Sequence, residues 1–265
     1  ITIKYKLINH LMKKHKKHNQ WGRKQDKYGD LFFKRAKGYL DEMESSKATA
    51  KIITPFIKNN NKILDAGCGV GHYLRSILKL SKNKFQYIGV DLTEKYIKLA
   101  NTIDWKIPTK FVKMNIENLK FKKNYFDVSF CSNVLLHLEN PNLAVLNLVN
   151  STKKFVLLRT LISNKDYVTK EVINQKNFNN FGKSLKPKNF IYYNSFSKKT
   201  INEWVKVSKK KYSIKFIEDK NFNPNKIKQN YQYKQNLTEN TKVFNRKQFN
   251  GPLMLNWYFV LIQIK

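Results

Sequence analysis

The chain has 265 residues, and an apolar fraction of 41% with 14% aromatics can build a packed core, so a disordered or fibrous protein is excluded. Two cysteines, Cys68 and Cys131, exclude a disulfide scaffold and a four-cysteine zinc ribbon. Lys and Arg number 52 against 18 Asp and Glu, a formal charge of +34, so nucleic acid has to be weighed as a partner.

Two features weigh against a dedicated nucleic-acid surface. Only five of the basic residues are arginine, the side chain that clamps phosphates and reads bases. Lysine also rises together with Asn, Ile, Phe and Tyr, whose codons are rich in A and T, a pattern of compositional drift. The longest apolar stretch, Leu253 to Ile264, is too short to span a bilayer and carries Asn256 and Gln263. The first residues lack the apolar run of a signal peptide, so the expected location is the cytoplasm.

In chain order, residues 1–50 are charged and helical in spacing, with Leu7 and Leu11, then Phe32, Phe33, Ala36, Tyr39 and Leu40 recurring. They are expected to form an N-terminal helical cap, with a further helix over 46–57 capped by Ser45 or Ser46. From Lys62 the texture changes. Apolar runs at 62–65, 85–90, 110–114, 126–130 and 155–161 read as strands, separated by helical segments. That alternation predicts a parallel sheet with helices on both faces. Ser197 is expected to cap a helix through Ile201 and Val205, followed by strands at 212–217 and 253–264. The polar stretches near 163–190 and 219–251 are expected to be insertions in a core spanning 51–265, the second a loop long enough to be functional.

The strongest chemical signal is Asp65-Ala66-Gly67-Cys68-Gly69-Val70-Gly71, between a strand and a helix. Glycines let the backbone turn sharply and approach a ligand, and helix-start amides favour polar groups. A dinucleotide loop would place its third glycine at 72, where His72 stands, and the Gly-Lys-Ser/Thr of a phosphate loop is absent.

Asp65 to Gly71 resembles the first motif of the class I S-adenosylmethionine-dependent methyltransferases, in their small-molecule, type 11/12-like group. Tyr87 to Asp91 resembles the second strand with its terminal acid, 20 residues beyond Gly71. Met114-Asn115-Ile116 resembles the third motif, with Asn where Asp is usual, and Phe126 to Leu138 the fourth strand and the helix beyond it. The resemblance covers about residues 45–162. It implies a Rossmann-like, doubly wound seven-stranded α/β sheet, mostly parallel with an antiparallel last strand. It implies S-adenosyl-L-methionine as cofactor, held by Asp65, Gly67, Cys68, Gly69 and Gly71, by Asp91 and Leu92, by Asn115 and Ile116, and by Ser132 and Asn133. Asp91 would meet the ribose hydroxyls, and Asn115 with Ile116 the adenine.

Methyl transfer needs in-line alignment and removal of the acceptor's proton. His137 follows strand four, where the acceptor should sit, and reads either as a general base or positioning donor, or as a partly exposed helix residue. Asp127, Cys68 and Cys131 read as structural: a local pairing acid and two packing thiols. His15 and His18 lack further ligands, so no metal is expected.

The Pro-Pro-aromatic motif of exocyclic-nitrogen base methylation is absent, and Cys131 does not follow proline as a cytosine-C5 nucleophile would. The helix expected after strand four, Asn133 to Leu138, resembles that of small-molecule O- and N-methyltransferases, which implies a small-molecule acceptor taking the methyl group on O or N rather than RNA. A non-catalytic cofactor-binding relative is the third reading. Glu42 to Ser46 also resembles a segment of methyltransferases in sugar pathways. Trp21, Tyr28, Phe32, Phe33, Tyr192, Tyr193, Tyr231 and Tyr233 are candidates to line a cover over the acceptor. Oligomeric state is not legible.

Overall fold

The computed structural model describes residues 26–172, 190–220, 241–244, 247–250 and 253–265. Leu7, Leu11, His15, His18, Trp21, Tyr231 and Tyr233 lie outside them. The chain enters through α1 (Asp26–Lys37) and α2 (Glu44–Ile53), and Pro55 turns the end of α2 into a 3-10 turn, Thr54–Phe56. Five strands and three helices follow: β1 (Lys62–Ala66), α3 (His72–Leu80), β2 (Gln86–Asp91), α4 (Glu94–Asn101), β3 (Thr109–Lys113), β4 (Phe126–Ser132), α5 (Pro141–Ser151) and β5 (Thr152–Leu161). A short ribbon of β6 (Lys170–Val172) and β7 (Phe190–Tyr192) precedes α6 (Lys198–Lys206) and β8 (Tyr212–Glu218). A small sheet of β9 (Thr241–Phe244), β10 (Lys247–Asn250) and β11 (Leu253–Met254) leads into β12 (Trp257–Ile264).

The main sheet runs β3-β2-β1-β4-β5-β12-β8. Six strands are parallel, and β12, last in the chain, runs antiparallel between β5 and β8. The strand order reverses between β1 and β4, which opens a crevice at their carboxyl ends, where open α/β sheets bind ligands. The strand period of two divides the core. Ile63, Val128, Phe130, Leu157 and Phe259 face α2, α3 and α4, while Leu64, Ala66, Val156, Leu158, Val260 and Ile262 face α5 and α6. β4 is buried along its whole length, as a central parallel strand should be.

Four local expectations are corrected. The N-cap of α2 is Met43, without a side-chain cap bond; Ser45 and Ser46 lie inside the helix, and their hydroxyls meet Tyr73 and Ser76 on α3 at 3.0 Å each. Asn133 to Leu138 is no helix but a single 3-10 turn, Leu135–His137, because Asn133 takes left-handed backbone with φ 63°. Leu253 to Ile264 splits at Asn256, whose side chain donates to the Ile162 carbonyl at 3.1 Å while its own carbonyl accepts from Ile162 N at 3.0 Å. The stretch expected to be a 219–251 loop holds β9 and β10. Ser197 caps α6 as expected, accepting from Thr200 N at 3.1 Å.

Candidate active site

The glycine loop joins β1 to α3 at the mouth of the crevice. Gly67, Gly69 and Gly71 have φ of 83°, 55° and 80°, a region costly for any residue with a Cβ. Space adds a second reason. A Cβ on Gly67 would lie 2.3 Å from Val134 Cγ2, and one on Gly71 would lie 2.8 Å from the Trp105 ring. The amides of Gly67 and Cys68 donate to the Val90 carbonyl at 2.7 and 3.0 Å, which ties the loop to the end of β2. Cys68 is fully buried, with Sγ packed where Gly89 has no side chain, and burial pushes its thiol well above its ordinary range. Its side chain therefore serves packing, and only its backbone faces the loop's ligand side.

Asp65, at the base of the loop, is buried and accepts a 2.5 Å hydrogen bond from the Tyr87 hydroxyl. Desolvation raises its carboxyl to about 8 against the pull of that bond, and the Asp91 charge adds to the rise. Asp91, the last residue of β2, accepts from Gly69 N at 3.0 Å and from Thr93 N at 2.8 Å, so loop and acid form one unit. Leu92 beside it is 47% exposed, an apolar side chain of a size more often covered. Next to Asp91, just past the end of β3, Asn115 caps the 3-10 turn Ile116–Asn118, its Oδ1 accepting from Glu117 N at 2.9 Å, while Ile116 is buried.

The ends of β4 and β5 carry a polar network that no local pattern announces. Ser132 is buried, with Oγ 3.3 Å from Thr49 Oγ1. Asn133 donates from Nδ2 to the Tyr73 hydroxyl at 3.2 Å and accepts at Oδ1 from Arg159 Nη1. Arg159 in turn pairs with Asp219 at 2.7 Å and stacks 4.2 Å from the Trp257 ring centre. Tyr73, Arg159 and Asp219 were not legible as site residues. Tyr73 and Arg159 meet Asn133, and Asp219 meets Arg159, only because β4, β5, α3 and the end of β8 converge.

His137 closes this end. Its Nδ1 lies 2.7 Å from the Tyr192 carbonyl, and since a carbonyl only accepts, Nδ1 carries the proton and Nε2 the lone pair. Burial lowers its pKa to about 4, so the ring is neutral. Tyr193 packs edge-on against it at 5.0 Å. Asp127 pairs locally, accepting from Lys62 N at 2.9 Å at the far end of β4. Among the described residues, no group of three or more His, Cys, Asp or Glu could hold a metal ion, and no helix is long and apolar enough to cross a membrane. α1 packs on α3 and α4. Its Phe32 stacks on His72 at 4.4 Å, so this aromatic covers the glycine loop rather than the ends of β4 and β5.

Residues 64–156 match the family model described as a methyltransferase domain. The chain is 29% identical over 126 residues to a tRNA U34 carboxymethyltransferase of Campylobacter jejuni, covering 46% of this chain and 40% of that protein. It is 30% identical over 142 residues to a ubiquinone biosynthesis O-methyltransferase of Rickettsia bellii, covering 48% of this chain and 56% of that one. The chain thus spans about half the length of the curated relatives it matches. Among solved structures, magnesium protoporphyrin IX methyltransferase from Synechocystis with bound S-adenosylmethionine superposes with a TM-score of 0.51 at 13% identity, over 91% of this chain and 92% of that one. At that identity the likeness is one of fold.

Proposed function

We propose that the chain, whose residues 64–156 match a methyltransferase-domain model, is a class I methyltransferase that takes S-adenosylmethionine as cofactor and transfers its methyl group to an oxygen or nitrogen of a small-molecule acceptor. The observation that carries this is the joint built by Gly69 N and Asp91 at 3.0 Å, which presents a carboxylate at the lip of a loop with three left-handed glycines. A carboxylate there suits two vicinal hydroxyls, which it can accept from together. The exposed Leu92 and the buried Ile116 are assigned to the faces of the cofactor's flat base, and Asn115 to its polar edge. The cofactor, when bound, supplies an electrophilic methyl group on a positively charged sulfur.

The acceptor end is assigned to His137, past the end of β4, bordered by Ser132 and Asn133, which are assigned to the cofactor at the end of that strand. Asn133 is held between Tyr73 and Arg159, so its position costs little reorganisation when an acceptor arrives. His137 is assigned the proton: its tautomer leaves Nε2 as the accepting nitrogen. A sugar or other biosynthetic intermediate with a hydroxyl or amino group fits this chemistry.

An RNA acceptor is the second reading, favoured by the tRNA-acting relative and by the charge of +34. Incubation with methyl-labelled cofactor and separate pools of metabolites and total RNA tests the choice. Label in the metabolite fraction is expected; label in RNA alone would reassign the acceptor.

A further inference from the structure

His72, the first residue of α3, follows the last glycine of the loop. The residue is 7% exposed, and among the described residues Nδ1 has no hydrogen-bond partner. Buried polar atoms are almost always partnered, so an orphan at a ligand loop asks for the missing partner. The ring edge sits against the loop: a Cβ built on Gly69 lies 3.4 Å from His72 Cε1 and 3.6 Å from Nδ1. Phe32 of α1 stacks on the ring at 4.4 Å and 9°, and its Cδ2 lies 3.5 Å from the same point. The imidazole is thereby fixed in plane, and helix α1 lies over the loop.

The charge beside it comes from Arg35, also on α1 and 7% exposed. Arg75 holds that part of the helix by donating to the Arg35 carbonyl at 2.9 Å. Burial, and then the nearby Arg35 charge, lower His72 to about 3, so the ring is neutral and can accept a hydrogen bond. A neutral acceptor, with a buried cation one helical turn along α1 from the Phe32 ring stacked on it, matches a zwitterion, with its ammonium on the imidazole nitrogen and its carboxylate toward the guanidinium. Asp91 meets the same glycine from the end of β2, accepting from Gly69 N at 3.0 Å.

We propose that His72 and Arg35 hold the amino-acid end of S-adenosylmethionine, with Phe32 closing over it, so that α1 is part of the cofactor site and not a cover for the acceptor. This rests on the cofactor reading above.

Calorimetry with two nucleosides separates the two. S-adenosylhomocysteine carries the amino-acid end, and 5′-methylthioadenosine has the same nucleoside without it. His72→Phe keeps an aromatic ring under Phe32 and removes the nitrogen. It is expected to weaken S-adenosylhomocysteine about tenfold, the worth of one hydrogen bond, and to change 5′-methylthioadenosine less than twofold. Arg35→Met should show the same selectivity. His72→Gln, which retains an accepting oxygen, should recover most of the loss. Equal weakening of both ligands, or of neither, would overturn the proposal while leaving the nucleoside site intact. A parent protein that binds neither nucleoside would instead remove the reading on which it rests.

Discussion

Arg159 and Asp219, 60 residues apart in sequence, meet as a buried ion pair: Nε and Nη2 lie 2.8 and 2.7 Å from one carboxylate oxygen, and the side chains are 8% and 4% exposed. The pair joins the carboxyl end of β5 to the residue after β8, and Asp219 N is tied to the Trp257 carbonyl at 2.9 Å. It also sets Asn133, and so connects the wall of the sheet to the turn after β4.

Removing one partner leaves the other charge buried, so Asp219→Ala is expected to cost about 3–5 kcal/mol. Arg159→Met with Asp219→Leu should recover most of it, since apolar replacements of such pairs are often neutral. Urea melts of the parent, both single variants and the double variant check this. A double variant as unstable as the sum of the singles would show that the pair is not the coupling element.

Gly67 and Val134 make a second close relationship, between the loop and the turn after β4. Gly67→Ala should be destabilised both by its φ of 83° and by the clash 2.3 Å from Val134 Cγ2, together about 2–4 kcal/mol. Val134→Ala should relieve the clash but not the backbone strain. Partial recovery in the double variant is the expected outcome; full additivity would contradict the contact.

Asp65 and His72 give opposite pH dependences. Asp65 is raised from 3.8 to about 8, so the native state binds the proton more tightly. Its contribution is complete below pH 3.8 and is lost as pH rises through 8. His72 is lowered from 6.5 to about 3, so its contribution is present above pH 6.5 and is lost as pH falls through 3. Asp65→Asn should therefore gain stability over the parent as pH rises from 5 to 8, by up to about 1.4 kcal/mol per pH unit. Denaturant titrations across that range measure it, and a difference independent of pH would mean that Asp65 is ionised in the native state throughout.

His137→Gln should lower turnover roughly 10²-fold or more while leaving cofactor affinity unchanged. Once the labelled-pool assay has supplied an acceptor, single-turnover rates decide it. A rate within a few-fold of the parent would limit His137 to fastening β7 through Tyr192.

The positions of the first five strands, the glycine loop and the acid at the end of β2 are legible because their signals are local: apolar runs of strand length, three glycines at fixed spacing, and an acid at a strand end. What was not legible depends on chain segments meeting. Ser45 and Ser46 carry the composition of a helix cap, yet their hydroxyls serve helix–helix contacts with α3. Asn133 reads as the start of a helix until its left-handed φ is known. Arg159 reads as one cation among many, because Asp219 and Trp257 lie 60 and 98 positions away. The aromatics of α1 suggested a cover, but only packing on α3 and α4 places Phe32 over the glycine loop.

The central claim is that the Gly67–Gly71 loop and Asp91 hold S-adenosylmethionine. Calorimetric titration of the parent and Asp91→Ala, with thermal melts to confirm that both are folded, tests it most directly. Losing two charge-assisted hydrogen bonds, each worth about 1.5–3 kcal/mol, should weaken binding at least 100-fold. A folded Asp91→Ala that binds S-adenosylmethionine as tightly as the parent would contradict the assignment.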